Sequence, residues 1–509
     1  MGKRFLWLLV GLMSGWSLQA NAQSAHLTAK SLALGGGGTA YVEGYHANFI
    51  NPANLMLGGA GPRITFGLLG GISTSMGGPL INLHVYDTYF TRGLTITGSI
   101  AEDALTDWFG NDPAGMKNFG MQVDFIPVGL SVRNDKWAMG LALRTRILMN
   151  TGINKGAAQL AIYGFNAGIF GDGQPVNFST STLVFYEASL GVSIQLLEIE
   201  NLGFARNVKI YAGAAPKLLL GVNSYKADFN SVLTLKGPQN EVEEIRHDFN
   251  YRIETTGEIT DQLTEYYQVR ESQSKVPVIE DYVEIVPEDM YGVKTSGWGL
   301  DLGAVVEMDV NIPVLGALFK GAEHLQVGLS LTDLGSLTFT ENAGAFVADK
   351  NLIWRGFNFD QETIDEEYNG DRGEYISHVL EDSIMTGIYN SFVPQKNVEN
   401  KRFLPTMLHF GTRLILSKLS ISVDLTRGFS NEGVNTQKMA LSTGIEYDLF
   451  GFFPLRVGMR TGGYSSTSYS AGVGLEFRNF EFSIAASTVN TLAKNGSAGM
   501  AWSGLILKF

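Results

Sequence analysis

Apolar and polar residues alternate along much of this sequence with a period of two. Residues 469–477, YSAGVGLEF, place Tyr, Ala, Val, Leu and Phe on one face and Ser, Gly and Glu on the other. A period of two is the pattern of a β-strand whose two faces meet different surroundings. The same alternation occurs at residues 137–143, 298–310, 408–416, 419–425 and 455–461. The chain is therefore predicted to be all-β.

The second face of these strands decides between a soluble sandwich and a membrane barrel. It carries mostly Gly, Ser and Thr, and charged residues make up only 17% of the chain, against roughly 25% in an ordinary soluble domain. A sandwich would expose Lys and Glu, whereas a barrel in lipid turns its apolar face outward and encloses small and polar residues. Only helices and closed barrels satisfy every backbone polar group in lipid. The predicted fold is a transmembrane antiparallel β-barrel.

The strand candidates number about fourteen, and short turns join several of them. Asn134–Asp135, Ser417–Lys418 and Arg478–Asn479 are typical of hairpins. Longer polar segments alternate with these turns, as expected when one rim has tight turns and the other has loops. The candidates lie near 63–74, 81–100 (one strand or two), 120–132, 135–147, 183–196, 207–222, 297–311, 324–333, 404–416, 419–429, 438–448, 454–463, 467–477, 479–488 and 498–509.

The first residues have the composition of an export signal. Lys3 and Arg4 precede an apolar run, and Ala20-Asn21-Ala22 offers a small-x-small cleavage site. Residues 1–22 are therefore predicted to be a cleaved signal peptide. A membrane anchor is the alternative, but the run of about 14 residues is shorter than the roughly 20 that span a bilayer. An exported barrel is expected in the outer membrane, in contact with its lipid.

Residues 23–60 combine glycines with large apolar side chains. Gly35 to Gly38 are consecutive, and Leu32, Tyr41 and Phe49 lie close to them in the sequence. This segment is too apolar for a tail and too rich in glycine for a strand. Irregular backbone is tolerated at membrane depth where protein encloses it. We therefore expect an N-terminal plug inside the lumen, followed by the barrel over residues 61–509.

Short motifs give the chain a resemblance to a known superfamily. "LGGGGTA" at 34–40 is followed by Asn51-Pro52-Ala53, and "LSLTDLGSLTF" occupies 329–339. These stretches resemble FadL-type transporters of hydrophobic compounds and, more closely, the PorV- and PorQ-like barrels of the type IX secretion system. The resemblance implies a 14-stranded barrel with an N-terminal hatch, in which Asn51, Pro52 and Ala53 form the hatch motif.

The same resemblance implies two alternative functions. The first is a channel or transporter for hydrophobic small molecules that are released sideways into lipid. The alternative is a non-transporting scaffold that docks a secretion-system protein, as PorV-like members do. Ile126-Pro127 is the candidate for a kinked strand at a lateral gate, because Pro127 interrupts the alternation and has no N–H for the ladder. A strand-end bulge without a passage is the other interpretation.

Charged residues on the inward face form a predicted polar network in the lumen. Mixed signs at membrane depth are expected to pair with each other and with the plug. The network would hold the plug; a polar substrate path is the alternative. Its predicted members are Glu187, Asp301, Glu307, Arg413, Glu446, Arg456 and Arg460, together with Asp309, Asp424 and Glu476.

Several classes of function find no support in the sequence. The formal net charge of −13 argues against nucleic acid as a partner. The chain has no cysteine, no Gly-x-Gly-x-x-Gly ahead of a helix and no His-Glu-x-x-His, so no cofactor and no metal site is predicted. His84, His378 and His409 are the candidates for a catalytic histidine, but a lumen histidine bonded to a neighbour is the better interpretation for His409. No enzymatic activity is predicted.

Two insertions and the C-terminus complete the predicted organisation. The insertions, at about 225–296 and 340–403, are polar and acidic; they are either docking surfaces or solvated loops. Short helices are expected at 157–170 and around 376–384. The C-terminal Phe509, on a last amphipathic strand, resembles the signal by which the barrel-assembly machinery recognises its substrates.

Overall fold

The computed structural model describes most of the chain from residue 27 onward. The predicted signal peptide lies outside the described residues. The described residues are 27–509 except 59–60, 62, 92–97, 204, 238–241, 273–281, 283–290, 312–322, 341, 356–360, 369–374, 376–387, 389–390, 396–397, 431–434, 464–466 and 490–493.

Antiparallel strands dominate the fold, and all of them belong to one sheet. Their bounds are β1 Ile64–Gly78, β2 Lys117–Arg133, β3 Trp137–Ile153, β4 Gln174–Asn201, β5 Ala205–Lys236, β6 Glu244–Thr256, β7 Thr295–Val310, β8 Glu323–Phe339, β9 Ala343–Arg355, β10 Val393–Gln395, β11 Asn400–Phe403, β12 Met407–Leu416, β13 Leu419–Gly428, β14 Met439–Leu449, β15 Phe453–Gly462, β16 Ser468–Glu476, β17 Phe480–Val489, β18 Gly496–Trp502 and β19 Leu505–Lys508.

Among the described residues, fourteen strands close into a barrel. They are β1 to β5, β7, β8, β12 to β17, and the last strand, which is interrupted between β18 and β19. The barrel closes where β18 and β19 pair antiparallel with β1, so that Thr65 faces Lys508 and Ser73 faces Ala501. Closure leaves no unpaired edge in the wall. The prediction of about fourteen strands in an antiparallel barrel is confirmed.

The outer surface of the barrel is apolar, as a membrane requires. On β3, Leu141 is 50% exposed while its neighbour Ala142 is buried. The same parity exposes Ile194 on β4 and Val457 on β15. No helix within the described ranges is long and apolar enough to cross a membrane. A closed barrel with an apolar outer surface indicates an outer-membrane protein.

The two rims of the barrel differ in the length of their connections. One rim, here called the short-turn rim, has tight turns such as 134–136 and 417–418, and both Ile64 and Phe509 lie there. The opposite rim, here called the long-loop rim, carries the longer connections 79–116 and 154–173. Short turns face the periplasm in barrels of this kind, so the short-turn rim is the periplasmic one.

The connection between β1 and β2 corrects one prediction. Residues 81–100 were expected to contain strands, but their described part is helical. A helix at Leu83–Val85 continues as a π-helical turn at Tyr86–Phe90, and a further helix occupies Ser99–Phe109. Asn82 caps the first helix, since its side chain accepts a hydrogen bond from the N–H of Val85 at 3.1 Å. The helices expected at 157–170 are present as Lys155–Tyr163 and Ala167–Phe170.

The first insertion continues the sheet beyond the membrane. β5 has 32 residues, far more than the 9 to 11 that cross a bilayer, and its distal half pairs with β6. β6 pairs in turn with β9, and β9 with β10. Helix Glu258–Ser272 packs on this extension, and a short helix lies at Gln361–Glu367. The helix expected around 376–384 lies outside the described residues.

Candidate functional site

Residues 27–58, here called the N-terminal segment, lie inside the barrel. Helix Ala29–Ala33 packs against β15 to β18. The 3-10 helix Gly44–Phe49 contacts β2 to β5, and the 3-10 helix Pro52–Met56 contacts β2 to β5 and β7. The segment therefore crosses the lumen from one wall to the other.

A ring of wall glycines makes room for the N-terminal segment. A Cβ on Gly213 would lie 2.5 Å from the backbone N of Ala53, and one on Gly444 would lie 2.6 Å from the Cβ of Leu34. In neighbouring strands the glycines face each other, as Gly140 faces Gly191. The ring, here called the glycine seat, comprises Gly140, Gly191, Gly213, Gly303, Gly328, Gly411, Gly444, Gly458 and Gly472.

The predicted hatch motif lies where the segment meets β7. The side-chain amide of Asn51 donates to the carbonyl of Thr39 at 2.8 Å and to that of Ala304 at 3.1 Å. Its oxygen accepts from the N–H of Ala53 at 3.2 Å. Pro52 occupies the first position of the 3-10 helix, where its missing N–H costs no bond. Asn51 therefore ties two parts of the segment to the wall.

Other polar wall residues hold the segment at distant points. One carboxylate oxygen of Asp424 accepts from the N–H groups of Gly38 and Thr39 at 3.1 and 3.0 Å. The hydroxyl of Ser470 accepts from the N–H of Gly35 at 3.1 Å. On the opposite wall, Asn48 donates to the carbonyl of Gly140 at 2.9 Å.

On the long-loop side of the segment, seven charged side chains form the upper ion cluster. The Nζ of Lys217 lies 2.8 Å from Glu187, 2.7 Å from Asp301 and 2.9 Å from Asp333. Arg144 lies 2.7 Å from Glu187, and Arg146 lies 2.8 Å from Asp333. The cluster comprises Asp124, Arg144, Arg146, Glu187, Lys217, Asp301 and Asp333, all of them buried.

Two carboxylates of the upper ion cluster occupy irregular places in the wall. Asp333 has a left-handed backbone with φ 56°, and its N–H donates to Asp301 at 2.6 Å. The pairing of β7 with β8 shifts between Leu300 and Leu302. The Asp-Leu-Gly stretch seen in the sequence is thus where β8 turns a carboxylate into the lumen.

An apolar layer lies on the long-loop side of this cluster. On β4, Leu183 and Phe185 precede Glu187 with the same inward parity. Leu219 follows Lys217 on β5 in the same way. The layer comprises Leu148, Leu183, Phe185, Leu219, Leu337, Phe339 and Leu404. From β3 to β8, the lumen on the long-loop side of the N-terminal segment is therefore filled first by charged side chains and then by apolar ones.

A second group of charges, the lower ion cluster, lies toward the short-turn rim from β12 to β19. Glu446 pairs with Arg413 at 2.6 Å and with Arg456 at 2.5 Å. Arg456 also pairs with Glu476. The cluster comprises Lys30, Arg413, Glu446, Arg456, Glu476, Glu481 and Lys508; Lys508 pairs with Glu481 at 2.5 Å.

Four residues of the predicted lumen network belong to neither cluster: Glu307, Asp309, Asp424 and Arg460. Glu307 accepts a hydrogen bond from Tyr211 at 2.5 Å and lies 3.5 Å from His324. Arg460 donates to Ser442 at 3.1 Å and to the carbonyl of Gly36 at 3.3 Å. The structure therefore divides the predicted network: Glu187 and Asp301 belong to the upper cluster, and Arg413, Glu446 and Arg456 to the lower one.

The wall is irregular at one height across three neighbouring strands. The pairing of β1 with β2 shifts between Leu68 and Gly71. The pairing of β2 with β3 shifts between Phe125 and Val128, which brackets the predicted Ile126–Pro127 kink. β18 ends and β19 begins around Ser503–Gly504. Residues 69–70, 126–127 and 503–504 are here called the wall discontinuity.

Tyr45 of the N-terminal segment lies directly behind the wall discontinuity. Its hydroxyl donates to the carbonyl of Gly70 at 2.9 Å. Gly67 and Gly129 lie against its ring so closely that a Cβ on either would collide with it. Tyr45 packs with Phe49 and Ile126 in one apolar cluster. The discontinuity is thus closed from inside by a single aromatic side chain and its neighbours.

A cavity of about 330 Å³ lies below Tyr45 toward the short-turn rim. Its lining combines residues of the segment with Thr65, Ser131, Ser503 and Ile506 around the discontinuity. Lys30, Arg413, Glu446, Glu476, Glu481 and Lys508 of the lower ion cluster also line it. The cavity therefore joins the periplasmic rim to the irregular part of the wall.

We next describe where the histidines that were candidates for catalysis lie. The Nε2 of His409 lies 3.0 Å from the hydroxyl of Thr332, inside the lumen. His84 lies in the helix Leu83–Val85, and His378 lies outside the described residues. Within the described ranges, no group of three or more His, Cys, Asp or Glu side chains is arranged to hold a metal ion.

On the long-loop side, the sheet extension has its own aromatic core. Phe249, Tyr251, Tyr266, Tyr267, Phe346 and Phe392 pack together there. The hydroxyl of Tyr251 lies 2.9 Å from the Nε2 of His247. Burial among these rings lowers the pKa of His247 to about 4, because the charged imidazolium loses its hydration.

Several residues of the site were missed by the sequence analysis. Arg144 and Arg146 alternate with Leu143 and Ile147, so the parity of β3 alone places both in the lumen. Neither Lys217 nor Tyr45 has such a signal. Lys217 follows a proline in an apolar strand, and Tyr45 lies in an irregular segment.

Comparison with known proteins gives a family and distant structural likenesses. The sequence matches the family described as "Family of unknown function (DUF5723)" over residues 59–487. Comparison with curated proteins gave no match. The fold is similar to that of the Pseudomonas putida toluene transporter TodX, with a TM-score of 0.40 at 12% identity over 96% of this chain and 99% of that chain. For the Ralstonia pickettii toluene transporter TbuX, the TM-score is 0.39 at 12% identity over 95% and 99%. For a Pseudomonas aeruginosa FadL homologue, it is 0.36 at 10% identity over 96% and 98%.

Proposed function

We propose that this chain, which belongs to the family of unknown function DUF5723, is an outer-membrane transporter for small hydrophobic molecules. The molecules pass sideways between the lumen and the lipid at the wall discontinuity. The N-terminal segment acts as the plug, and Tyr45 closes the passage. The observation that carries the proposal is the coincidence of three strand irregularities at one height with one aromatic side chain behind them.

Irregular strand pairing of this kind is energetically costly in the wall of a membrane barrel. Each unpaired N–H or C=O that faces lipid costs several kcal/mol. Leu69 adopts a left-handed backbone with φ 48°, which is unfavourable for a branched side chain. Strained backbone tends to accumulate at functional places. A barrel wall that serves only as a barrier does not require irregular pairing or strained backbone, so these features favour a passage at this place.

The surroundings of the discontinuity suit an apolar molecule. Leu68, Leu69 and Ile72 are exposed on its outer side, where lipid tails would receive the molecule. Ile126 and Phe49 are apolar on the inner side. A rotation of the Tyr45 side chain would break one hydrogen bond to Gly70 and leave the small residues Gly67, Gly70 and Gly129 in its place.

Replacement of Tyr45 by alanine tests this proposal. The purified Tyr45→Ala protein in proteoliposomes is expected to pass the apolar fluorophore 1-N-phenylnaphthylamine several times faster than the unaltered protein. Tyr41→Ala is the matched control, because Tyr41 is equally buried in the same segment but contacts Arg413 rather than the discontinuity. Equal rates in the two variants, with both barrels folded by their heat-dependent gel mobility, would refute lateral passage.

A docking scaffold is the second candidate, and the sheet extension favours it. β5, β6 and β9 carry a folded layer well beyond the membrane, with helix Glu258–Ser272 packed on it. A folded surface of this size is suited to bind a protein, such as a component or substrate of a secretion system. Co-purification after mild detergent extraction tests it. A partner in equal amounts that is lost on removal of residues 244–272 would support docking, and a barrel that purifies alone would argue against it.

A further inference from the structure

We propose that three lysines at the outer mouth of the lumen, Lys117, Lys438 and Lys494, bind a phosphate group. They are here called the lysine cluster. The proposal goes beyond lateral passage, because it concerns a charged ligand at the long-loop rim and not the wall discontinuity. A free phosphate and the head group of a lipid share the chemistry that this cluster would recognise.

The lysine cluster lies at the long-loop end of the barrel. Lys117 begins β2, Lys438 directly precedes β14, and Lys494 precedes β18 by two residues. Lys438 and Lys494 are exposed, and Lys117 is half-buried. β2 has 17 residues, and only 9 to 11 are needed to cross a bilayer. Counted from the short-turn rim, Lys117 therefore lies beyond the membrane.

The register of the sheet places two of the lysines at the same height. Gly120 of β2 and Ser497 of β18 both pair with Gly77 of β1. Adjacent strands are about 4.8 Å apart, so these two residues lie about 10 Å from each other. β2 and β18 run in the same direction, because both are antiparallel to β1. Lys117 and Lys494, each three residues earlier, are therefore level with each other.

Lys438 approaches the same place from another part of the rim. β14 is six strand positions from β2 around the barrel. Asn435 and Thr436, which come just before Lys438, are buried, so the chain folds inward there. The pKa of Lys117 is lowered by its partial burial and by the charges of Lys438 and Lys494. Lysines from strands so far apart affect one another only where their ammonium groups lean together over the lumen.

The cluster lacks a counter-charge. Within the ranges that the structure describes, none of its three ammonium groups has a carboxylate partner. In the upper ion cluster, by contrast, Arg144, Arg146 and Lys217 each lie 2.7 or 2.8 Å from a carboxylate. Like charges that are brought together repel each other. An anion bound between the three lysines would remove this repulsion.

The outer surface divides its charge between two sides of the mouth. The two insertions, 225–296 and 340–403, contain 27 Asp and Glu against 13 Lys and Arg. They extend from β5 and β8, whereas the lysine cluster belongs to β14, β18 and β2. An anionic group at the mouth is therefore repelled from one side and attracted to the other.

The number of positive charges favours a phosphate over a carboxylate. A phosphate group has about −1.5 to −2 charges near pH 7, and lysine binds it as a point charge. A carboxylate has one negative charge, which would leave most of the repulsion among three ammonium groups in place. A phosphate dianion offsets more of it and has more oxygen atoms to accept their hydrogen bonds.

Titration calorimetry of the full chain in detergent at low salt tests the site with two probes, inorganic phosphate and dioleoyl phosphatidate. In Lys117→Gln, affinity is expected to fall about tenfold, since hydrogen bonds to charged groups are among the stronger ones. Lys117→Arg keeps the charge and should bind as the unaltered protein does. Lys350→Gln, on the exposed face of β9, is the matched control.

The outcomes separate the two sources of phosphate and can overturn the proposal. Binding of inorganic phosphate that is weakened in Lys117→Gln identifies a free phosphate. Binding of phosphatidate alone, weakened in the same variant, identifies a lipid head group. Both results support the site. If the unaltered protein binds neither probe, or if Lys350→Gln loses as much affinity as Lys117→Gln, the proposal is wrong.

The positive potential at the mouth can be measured without a ligand, because the chain has no cysteine. Ser497→Cys puts a thiol near the lysine cluster, and Asn342→Cys puts one beside Glu258 and Asp261. An anionic methanethiosulfonate should react faster than a cationic one at residue 497 and more slowly at residue 342. Adding Lys117→Gln should lower the first ratio severalfold and leave the second unchanged. Equal ratios at the two positions would contradict the proposal.

Discussion

Removal of the Lys217 ammonium should destabilise the barrel more than the removal of any exposed lysine. Lys217 has no solvent exposure and lies within 3.0 Å of three carboxylates, Glu187, Asp301 and Asp333. The upper ion cluster has three cations and four anions. Lys217→Met therefore leaves two cations against four buried anions.

The expected loss follows from the cost of an uncompensated buried charge. Breaking a buried pair by removing one partner costs about 3–5 kcal/mol. With a urea dependence of roughly 3 kcal/mol per M, the unfolding midpoint should fall by roughly 1 M or more. The double variant Lys217→Met/Asp301→Asn removes one charge of each sign, so it should recover part of this loss.

Equilibrium unfolding in urea, followed by tryptophan fluorescence in lipid vesicles, measures both variants. Lys226→Met is the control, because Lys226 lies on the same strand in a half-exposed pair with Asp228, and exposed pairs contribute about 0–1 kcal/mol. If Lys217→Met unfolds at the same urea concentration as Lys226→Met, the upper ion cluster does not stabilise the barrel, and the reasoning is refuted.

Three further predictions concern other parts of the chain. Gly458→Leu should release the N-terminal segment, because no side chain fits between β15 and Leu34; trypsin should then cleave at Lys30, whereas Val457→Leu on the lipid face should remain resistant. The extension should lose stability as the pH falls from about 6.5 to about 4, since His247 takes up a proton at about 4 in the folded state and near 6.5 when unfolded. Hydrogen exchange of helix Glu258–Ser272 should show this loss, and His247→Gln should abolish it. Deletion of Phe509, which is exposed at the short-turn rim, should lower the amount of assembled barrel on heat-modifiability gels; an unchanged amount would contradict recognition through this residue.

Most of the fold could be predicted from the alternation of apolar and polar side chains along the sequence. A strand in a barrel wall faces lipid on one side and the lumen on the other. Its residues therefore alternate between apolar side chains and small or polar ones, and this alternation is visible in the sequence. This is why the sequence predicted about fourteen strands. It failed at residues 81–100, where Ile81, Leu83 and Val85 alternate with polar residues as they would in a strand. Here local capping by Asn82 favoured the helix.

The interior could be predicted only in part. Parity correctly identifies the glycines of the inner face, but not that nine of them lie at one level and accommodate the N-terminal segment. That alignment depends on the register between strands, which a single sequence does not contain. Lys217 was missed for the same reason, because its three partners come from β4, β7 and β8.

The glycine seat has a consequence for the order of assembly. The N–H of Gly35 reaches a hydroxyl that lies 435 positions further along the chain. Contacts over such distances form late, since the intervening chain must first be ordered. An early part of the sequence is consequently expected to reach its final contacts late. The contact of Gly35 with Ser470 can form only once β16 has taken its place in the wall.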